Sequence, residues 1–580
     1  MIRRCTLIAL AILVAPLAAK ADCQVTEFLD LPVTITNMHP LVDAGINGVR
    51  ARFVIDSGSW SNSMTPGAAK AFHLEQELGP YASGEGVGGA FLMYLTTVKV
   101  FTLAHFQFKN VPFLVGGSEV GDDSAGLLGQ ELLSVSDVDY DFSGGVIRFM
   151  RPKDCGGQPL AYWLKPGQTF GELGVGSSGP DSKEVIGAAT VNGVKVKVLF
   201  DTGGGDSLLS LAAAKRAGIA PGDPGVIDGG SEGGLGSNRV RTWIAPVKSF
   251  EIGGEQILNT RLRIGNWTGA GRDYADMILG DDFFLSHHVY VANSQRKVYF
   301  TYNGGPVFNL EVKSATTTAA AAPASGAKTA VEWARLGASE FSREAWSEAI
   351  ADYSRAIDLD ARKADYYAQR GRAYLWVEKP DLGVKDLDQA LNLDPADIPT
   401  RIVRARQRLD TKDQTGARAD LAAADQALGK ESDFRLDLAY AFAAAAEPRE
   451  AVASLDDWIA IHPVDNKMPY AMAERCWARA LANQDLGKAL ADCQAALRRG
   501  DSGAKSYRAL VRYRLGDFTA SIADESDVLA DSPKCAWCLY GRGLARMKLG
   551  MTSEGKADIA AAVALNPALP DRAKTYGLTP

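Results

Sequence analysis

Beyond its first twenty or so residues the 580-residue chain has no apolar run near the roughly 20 residues a membrane-spanning helix requires, which excludes a span in that remainder. Excess positive charge is also missing. Lys and Arg number 62 against 69 Asp and Glu, a net charge of −7, and nothing in that balance favours nucleic acid. Histidine is scarce, with six residues, and the adjacent His287-His288 lacks any accompanying ligand motif. Cysteine is low, at seven. Cys535-Ala536-Trp537-Cys538 has no second Cys pair or nearby His, which argues against a metal site. No βαβ pattern surrounds it either, so a structural disulfide or two buried thiols is preferred to a redox pair. Gly174-Val175-Gly176-Ser177-Ser178-Gly179 fits the dinucleotide string, yet Pro180 and Asp181 stand where a helix should begin. No cofactor and no metal are implied. Asn266-Trp267-Thr268, a glycosylation acceptor by its letters, is assigned no role.

The N-terminus carries Arg3 and Arg4, an apolar run from Cys5 to Ala18, and then Ala19-Lys20-Ala21. That is the layout of a secretory signal peptide, with cleavage expected after Ala21. Cys23 is not preceded by a lipoprotein-type tripeptide, so export without an anchor is expected. Loss of Arg3, Arg4 and Lys20 takes the net charge from −7 to −10 and leaves six thiols for an oxidising compartment. Cys23 and Cys155 bracket the first folded unit and are a candidate staple of its ends.

An internal duplication dominates the first half of the mature chain. Residues 47–58, Asn-Gly-Val-Arg-Ala-Arg-Phe-Val-Ile-Asp-Ser-Gly, align without a gap on residues 192–203, Asn-Gly-Val-Lys-Val-Lys-Val-Leu-Phe-Asp-Thr-Gly. Asn-Gly favours a two-residue hairpin turn, because both positions accept positive φ. Basic residues alternating with apolar ones then read as a half-buried strand, and three apolar residues in a row carry it into a core. Each copy delivers an Asp on a tight Ser-Gly or Thr-Gly loop. A short Ala-rich helix comes next in each (Pro66 to Phe72; Leu211 to Ala217), then a Gly-rich stretch: Gly84-Glu85-Gly86-Val87-Gly88-Gly89, and Gly229-Gly230-Ser231-Glu232-Gly233-Gly234. Each unit closes on two apolar residues and a Gly, Leu127-Leu128-Gly129 and Ile278-Leu279-Gly280, before a last strand.

This four-part order resembles retropepsin-like and pepsin-like aspartic proteases over roughly residues 25 to 305. The resemblance implies an all-β pair of half-barrels related by a pseudo-two-fold axis, with half-domains at 22–157 and 181–305 and a connector at 158–180. It implies Asp56 and Asp201 as a catalytic dyad, Ser57 and Thr202 as braces between the two loops, and Gly58 and Gly203 as turn residues. Gly86, Gly88, Gly89, Gly233 and Gly234 fall in candidate flaps, with Tyr81 the candidate flap tyrosine. Leu128, Gly129, Leu279 and Gly280 fall on the strands crossing behind the catalytic loops. Two carboxyls sharing one proton are able both to activate a water and to polarise a carbonyl. The second loop departs from the family by having Gly204-Gly205 after its triplet.

The span 306–329, rich in Ala, Thr, Ser and Pro, reads as a flexible linker. From 330 to 580 a 34-residue period appears. Trp333, Leu336, Gly337, Ala349, Tyr353 and Ala356 resemble the tetratricopeptide consensus, as do Gly371, Tyr374, Ala390 and Pro395, and Gly543, Gly550, Ile559, Ala562 and Pro567. Six or seven repeats are expected in an all-α solenoid. Aligning Ala489 and Ala496 to that consensus sets Cys476 and Cys493 face to face, a candidate disulfide. Such arrays bind peptides or protein partners along a concave face.

The sequence therefore points to a periplasmic or secreted aspartic endopeptidase acting on an extended polypeptide, its helical array recruiting protein partners. Two rivals stand beside that reading. One is a catalytically inactive envelope scaffold that binds peptides through a protease-like fold; the other is an assembly whose dyads form between chains.

Overall fold

The computed structural model describes residues 23–118, 124–165, 167–177, 179, 183–267, 274–305, 307–308, 310, 328–463 and 465–580. The expected signal segment, Thr268 and most of the expected linker lie outside the described residues, as does the side chain of Tyr81.

Both Asn-Gly pairs form hairpin turns. Asn47 and Gly48 take φ of 51° and 85°, Asn192 and Gly193 take 50° and 78°, and the strands pair tightly around them, Ile46 opposite Val49 and Val191 opposite Val194. Strands Val49–Ile55 and Val194–Phe200 then run inward, and their last residues are buried, as the apolar runs Phe53-Val54-Ile55 and Val198-Leu199-Phe200 require. Each lies parallel to the short strand that closes its unit, Gly126–Leu128 in the first and Met277–Leu279 in the second. The first core is aromatic: Phe53, Phe101 and Phe113 meet with centroids 5.3–5.8 Å apart.

A shared sheet joins the units. Strand His287–Ala292 of the second unit pairs with Asp137–Asp141 of the first, so the order Gly171–Gly174, Lys297–Tyr302, His287–Ala292, Asp137–Asp141, Val146–Lys153, Gln24–Thr36 is continuous across both. His287 and His288 are structural here. His288 is held by Asp139 and stacks on Trp163, and His287 Nε2 meets Glu255. Two segments outside the expected half-domains pack on the second unit. Gly171–Gly174 lies inside the expected connector yet forms a strand on Lys297–Tyr302, because alternate residues have a partner edge to pair with. Val307 and Phe308, at the start of the expected linker, are buried, Phe308 against Phe250, since apolar side chains there find the core of the second unit.

From Ala330–Ser342 to Thr552–Leu565 the described residues form seven antiparallel helix pairs, capped by Leu569–Thr575. Gly371 and Gly543 sit where a Cβ would come within 3.0 and 2.9 Å of the facing helix backbone, at Gly383 and Gly555, which is why the repeat keeps these sites small. A ladder of forked ion pairs ties first helices to second helices: Arg370 to Asp386, Arg404 to Asp420, Arg475 to Asp492, Arg508 to Asp524 and Arg542 to Asp558. Disulfides join Cys23 to Cys155, Cys476 to Cys493 and Cys535 to Cys538. No helix among the described residues is long and apolar enough to cross a membrane.

Candidate active site

The apolar strands Val49–Ile55 and Val194–Phe200 end side by side, and the loops beyond them interlock. Ser57 N donates to Thr202 Oγ1 at 3.0 Å and Thr202 N to Ser57 Oγ at 3.0 Å. Each hydroxyl then donates past its partner loop, Ser57 Oγ to Phe200 O and Thr202 Oγ1 to Ile55 O, both at 2.8 Å. All four bonds are buried, so each N–H and carbonyl that has left its sheet is satisfied by the other unit. A small hydroxyl residue is the chemistry this requires at both places.

This grip brings Asp56 and Asp201 into hydrogen-bond contact. Asp56 Oδ1 accepts from Gly58 N at 2.9 Å and Ser59 N at 2.8 Å, and Asp201 Oδ1 from Gly203 N at 2.9 Å. The glycines lie against the opposite carboxyl. A Cβ on Gly58 would stand 2.3 Å from Asp201 Cγ, and one on Gly203 2.3 Å from Asp56 Cγ. Leu128 O and Leu279 O accept from Asp56 N and Asp201 N, each at 3.0 Å. Gly129 and Gly280 leave room for the loops, since a Cβ there would meet Ser59 O and Gly204 O at 2.6 and 2.5 Å.

The electrostatics of the pair follow from burial and like charge. Desolvation, then the adjacent Asp201, pushes Asp56 well above the ordinary aspartate value. Desolvation raises Asp201 too, opposed by its bond with Asp56 and by the N–H groups of Gly203, Gly58 and Gly204. The pair thus titrates as a unit that shares one proton.

Two further carboxyls are not recognisable as site residues in the sequence, although both stand directly after the closing Ile278-Leu279-Gly280. Asp281 is fully buried, raised by burial and by Asp201, Asp282 and Asp56, and its oxygens have no hydrogen-bond partner; the nearest base is His39, with Nδ1 at 3.9 Å. Asp282 is pushed up to about 8 by burial and Asp206, while it accepts from Ser207 N and Oγ. A carboxyl whose folded pKa exceeds its ordinary 3.8 holds a proton that the unfolded chain has lost. The stability these groups allow is therefore fully present below about pH 4 and is lost as the pH rises toward 8. Thermal melts should show the β-rich transition falling steadily between pH 5 and pH 8; a midpoint that rises over that window contradicts the assignment.

The Gly-rich stretches form the tips of two hairpins, built on Glu77–Gly86 with Gly89–Leu103 and on Ile227–Glu232 with Val240–Ile252. The tips interlock. Gly88 N donates to Leu235 O and Asn238 N to Gly88 O, both at 2.9 Å. Side chains are exchanged as well: Val87 packs with Leu208, Val240, Trp267 and Ile278 of the second unit, and Leu235 with Leu41, Val54 and Leu127 of the first. Cβ atoms on Gly86, Gly88 and Gly234 would strike Leu235 O, Asn238 O and Val87 Cβ at 2.5–2.9 Å, while Gly89 turns with φ of 89°. Gly233 faces the array, its Cβ position 3.0 Å from Asn466 Nδ2.

Asn466 was not legible in the sequence. It lies just beyond helix Pro448–Ile461, and its Nδ2 donates to Gly234 O at 3.1 Å and to Ser118 Oγ at 2.9 Å; Ser118 Oγ in turn donates to Gly234 O at 2.8 Å. The helical array thus touches the second hairpin tip directly.

Residues 42–132 and 188–283 match the family described as Aspartyl protease, and residues 337–375 match TPR repeat. The N-terminal region is accordingly a tandem pair of aspartyl protease-type units, and the C-terminal region an all-helical TPR-like solenoid. Among curated proteins the chain is similar to Hsc70-interacting proteins 1 and 2 of Drosophila melanogaster, each 41% identical over 56 residues. That stretch is 10% of this chain, and the chain spans 15% of the length of those relatives. Among solved structures it is similar to the aspartic proteinase from Irpex lacteus, at 13% identity over 48% of this chain and 97% of that one, with a TM-score of 0.31. It is also similar to PilW, a type IV pilus biogenesis factor, at 18% identity over 35% of this chain and 94% of that one, with a TM-score of 0.30.

Proposed function

We propose that the chain is an aspartic endopeptidase in which Asp56 and Asp201 form one intramolecular dyad. The observation that carries this reading is the reciprocal Ser57–Thr202 grip, which holds two desolvated carboxyls in hydrogen-bond contact. Asp201 takes a proton from a water as the water oxygen attacks the substrate carbonyl carbon. Asp56 gives its proton to the carbonyl oxygen, and collapse of the resulting diol breaks the C–N bond with a proton delivered to the leaving nitrogen. Serving that chemistry, Gly58 and Gly203 admit the carboxyls, Leu128-Gly129 and Leu279-Gly280 back the loops, and the two hairpin tips act as flaps that part for an extended polypeptide. The half-domains are assigned to 22–157 and 181–305 and the array to 330–580, where it recruits protein partners or substrates. Three disulfides fit an oxidising compartment and support the reading of a periplasmic or secreted protein that loses residues 1–21.

Calorimetric titration with pepstatin tests this reading. Saturable binding to the wild type, weakened at least tenfold by Asp201→Asn, is expected; no binding between pH 4 and 7 overturns it.

The interlocked hairpin tips favour a second reading, a catalytically inactive peptide-binding scaffold, because Val87 and Leu235 already fill pockets in the opposite units. That reading requires full biological function in the Asp56→Asn plus Asp201→Asn double variant.

A further inference from the structure

The five Arg–Asp pairs of the array put equivalent positions in register, and one repeat differs from the rest. The residue after the paired Asp is Leu387, Leu421, Cys493 or Ile559 in four repeats, an apolar knob between helices, but Glu525 in the fifth. Three residues before that Asp stand Gly383, Ala417, Ala489 and Gly555, but here Ser521. Two residues before the paired Arg stand Ala368, Ile402, Ala473 and Tyr540, but here Ser506. Three interior positions that are otherwise apolar or small have become polar together.

These groups are not satisfied among themselves. Glu525 is 3% exposed and Ser521 fully buried, and Ser506 Oγ donates to Glu525 Oε1 at 3.2 Å. Glu525 Oε2 and Ser521 Oγ have no hydrogen-bond partner. Burying such atoms unpaired is costly, and a chain that could use leucine here bears that cost in one repeat alone. Both residues line a cavity of about 20 Å³, the room of one water-sized group. Its walls are aromatic: Trp477, Tyr513, Trp537 and Tyr540. Gly541 keeps it open, since a Cβ there would stand 2.8 Å from Glu525 Oε1. The nearby cations are committed elsewhere, Arg508 and Arg512 to Asp524 and Arg542 to Asp558. Burial and the neighbouring Asp524 push the Glu525 carboxyl well above the ordinary glutamate value, opposed by its bond with Ser506 and by Arg542. Buried acceptor atoms backed by π faces are the composition of an ammonium site.

We propose that this cavity, between helices Ala504–Leu515, Phe518–Asp531 and Ala536–Lys548, binds a primary ammonium group of the size of a lysine head carried by a partner protein. The three N–H donors of such a group match Glu525 Oε2, Ser521 Oγ and Ser506 Oγ, and its alkyl stem leaves along the half-buried Trp477 and Trp537. The proposal is independent of peptidase activity.

The test titrates the full chain with n-butylammonium chloride at pH 7.5 while tryptophan fluorescence is followed, with n-butanol as the neutral isostere and potassium chloride as the ionic control. Saturable binding of butylammonium alone is expected, at least tenfold weaker in Glu525→Gln and weaker at pH 5, where protons compete. If Glu525→Gln does not fold, Glu525→Leu, the residue that Leu387 and Leu421 supply elsewhere, takes its place and must also lose binding. Equal binding of n-butanol, no saturation, or retained affinity in either variant overturns the proposal and leaves a cavity for one bound water.

Discussion

Gly203→Ala should abolish the peptide cleavage proposed for the Asp56–Asp201 pair and loosen the fold, whereas Gly204→Ala, one residue on, should do little. At Gly203 the added Cβ lies 2.3 Å from Asp56 Cγ and 2.4 Å from Asp56 Oδ2, closer than any real contact, and the carboxyl it strikes is itself held by hydrogen bonds from Gly58 N and Ser59 N. Either the Asp56 carboxyl turns away or the Thr202 loop retreats. Both break the geometry of the pair, and a misplacement of about 1 Å in a catalytic group costs roughly a hundredfold in rate. Overpacking of this kind also costs about 1–3 kcal/mol of stability. The same Cβ on Gly204 meets Ile278 Cγ2 at 3.2 Å, which a small shift absorbs, and Asp201 O and Oδ2 at the ordinary contact distances of 3.7 and 3.8 Å. Steady-state cleavage rates and melting midpoints of the two variants separate the cases; equal losses at both positions contradict the described loop.

Asp420→Ala should cost the array about 3–5 kcal/mol, the usual penalty for removing one partner of a buried ion pair. Asp420 is 3% exposed and accepts from Arg404 Nε at 2.9 Å, Arg404 Nη2 at 2.5 Å and Arg408 Nη1 at 2.8 Å. Its loss leaves Arg404 on the half-exposed Asp388 and Arg408 on Asp388 and Asp413. Because each repeat is held by its neighbours, the array should open first around helices Ile398–Asp410 and Gln414–Ala427. A fall in its melting midpoint on the order of 10 °C is expected, with hydrogen exchange accelerated first in those two helices. Arg401→Ala, whose guanidinium approaches Asp420 only to 3.7 Å, should cost far less. An unshifted midpoint in Asp420→Ala contradicts a structural role for the ladder.

What the sequence revealed of the molecule lies where local chemistry and spacing decide the outcome. The two Asn-Gly turns, the strands that carry Asp56 and Asp201, and the closing Leu-Gly motifs repeat in one order, and each step has a local cause. Gly337, Gly371 and Gly543 announced the helix pairs for the same reason, since close helix approach demands small residues at a fixed period. The parts that stayed hidden arise between distant segments. Asn466 lies 232 residues from Gly234 and meets it only because the array folds back on the β-rich units. The exchange of Val87 and Leu235 between the hairpin tips needs both lobes in place. Asp281 was visible as a letter, but its full burial beside the dyad depends on how the Gly280 turn packs under Gly204. The Arg–Asp ladder did have a signal, an Arg with an Asp 16 or 17 residues later, which a search for apolar periodicity passes over.

The most direct measurement is cleavage of a diverse peptide mixture by the mature protein from pH 3 to 7.5, comparing wild type with Asp56→Asn and Asp201→Asn. One intramolecular dyad requires that wild type cut and that each single variant be inactive while remaining folded. Wild type as silent as both variants across that range contradicts the assignment and leaves the scaffold, and cutting that survives in one single variant and falls on dilution places the dyads between chains.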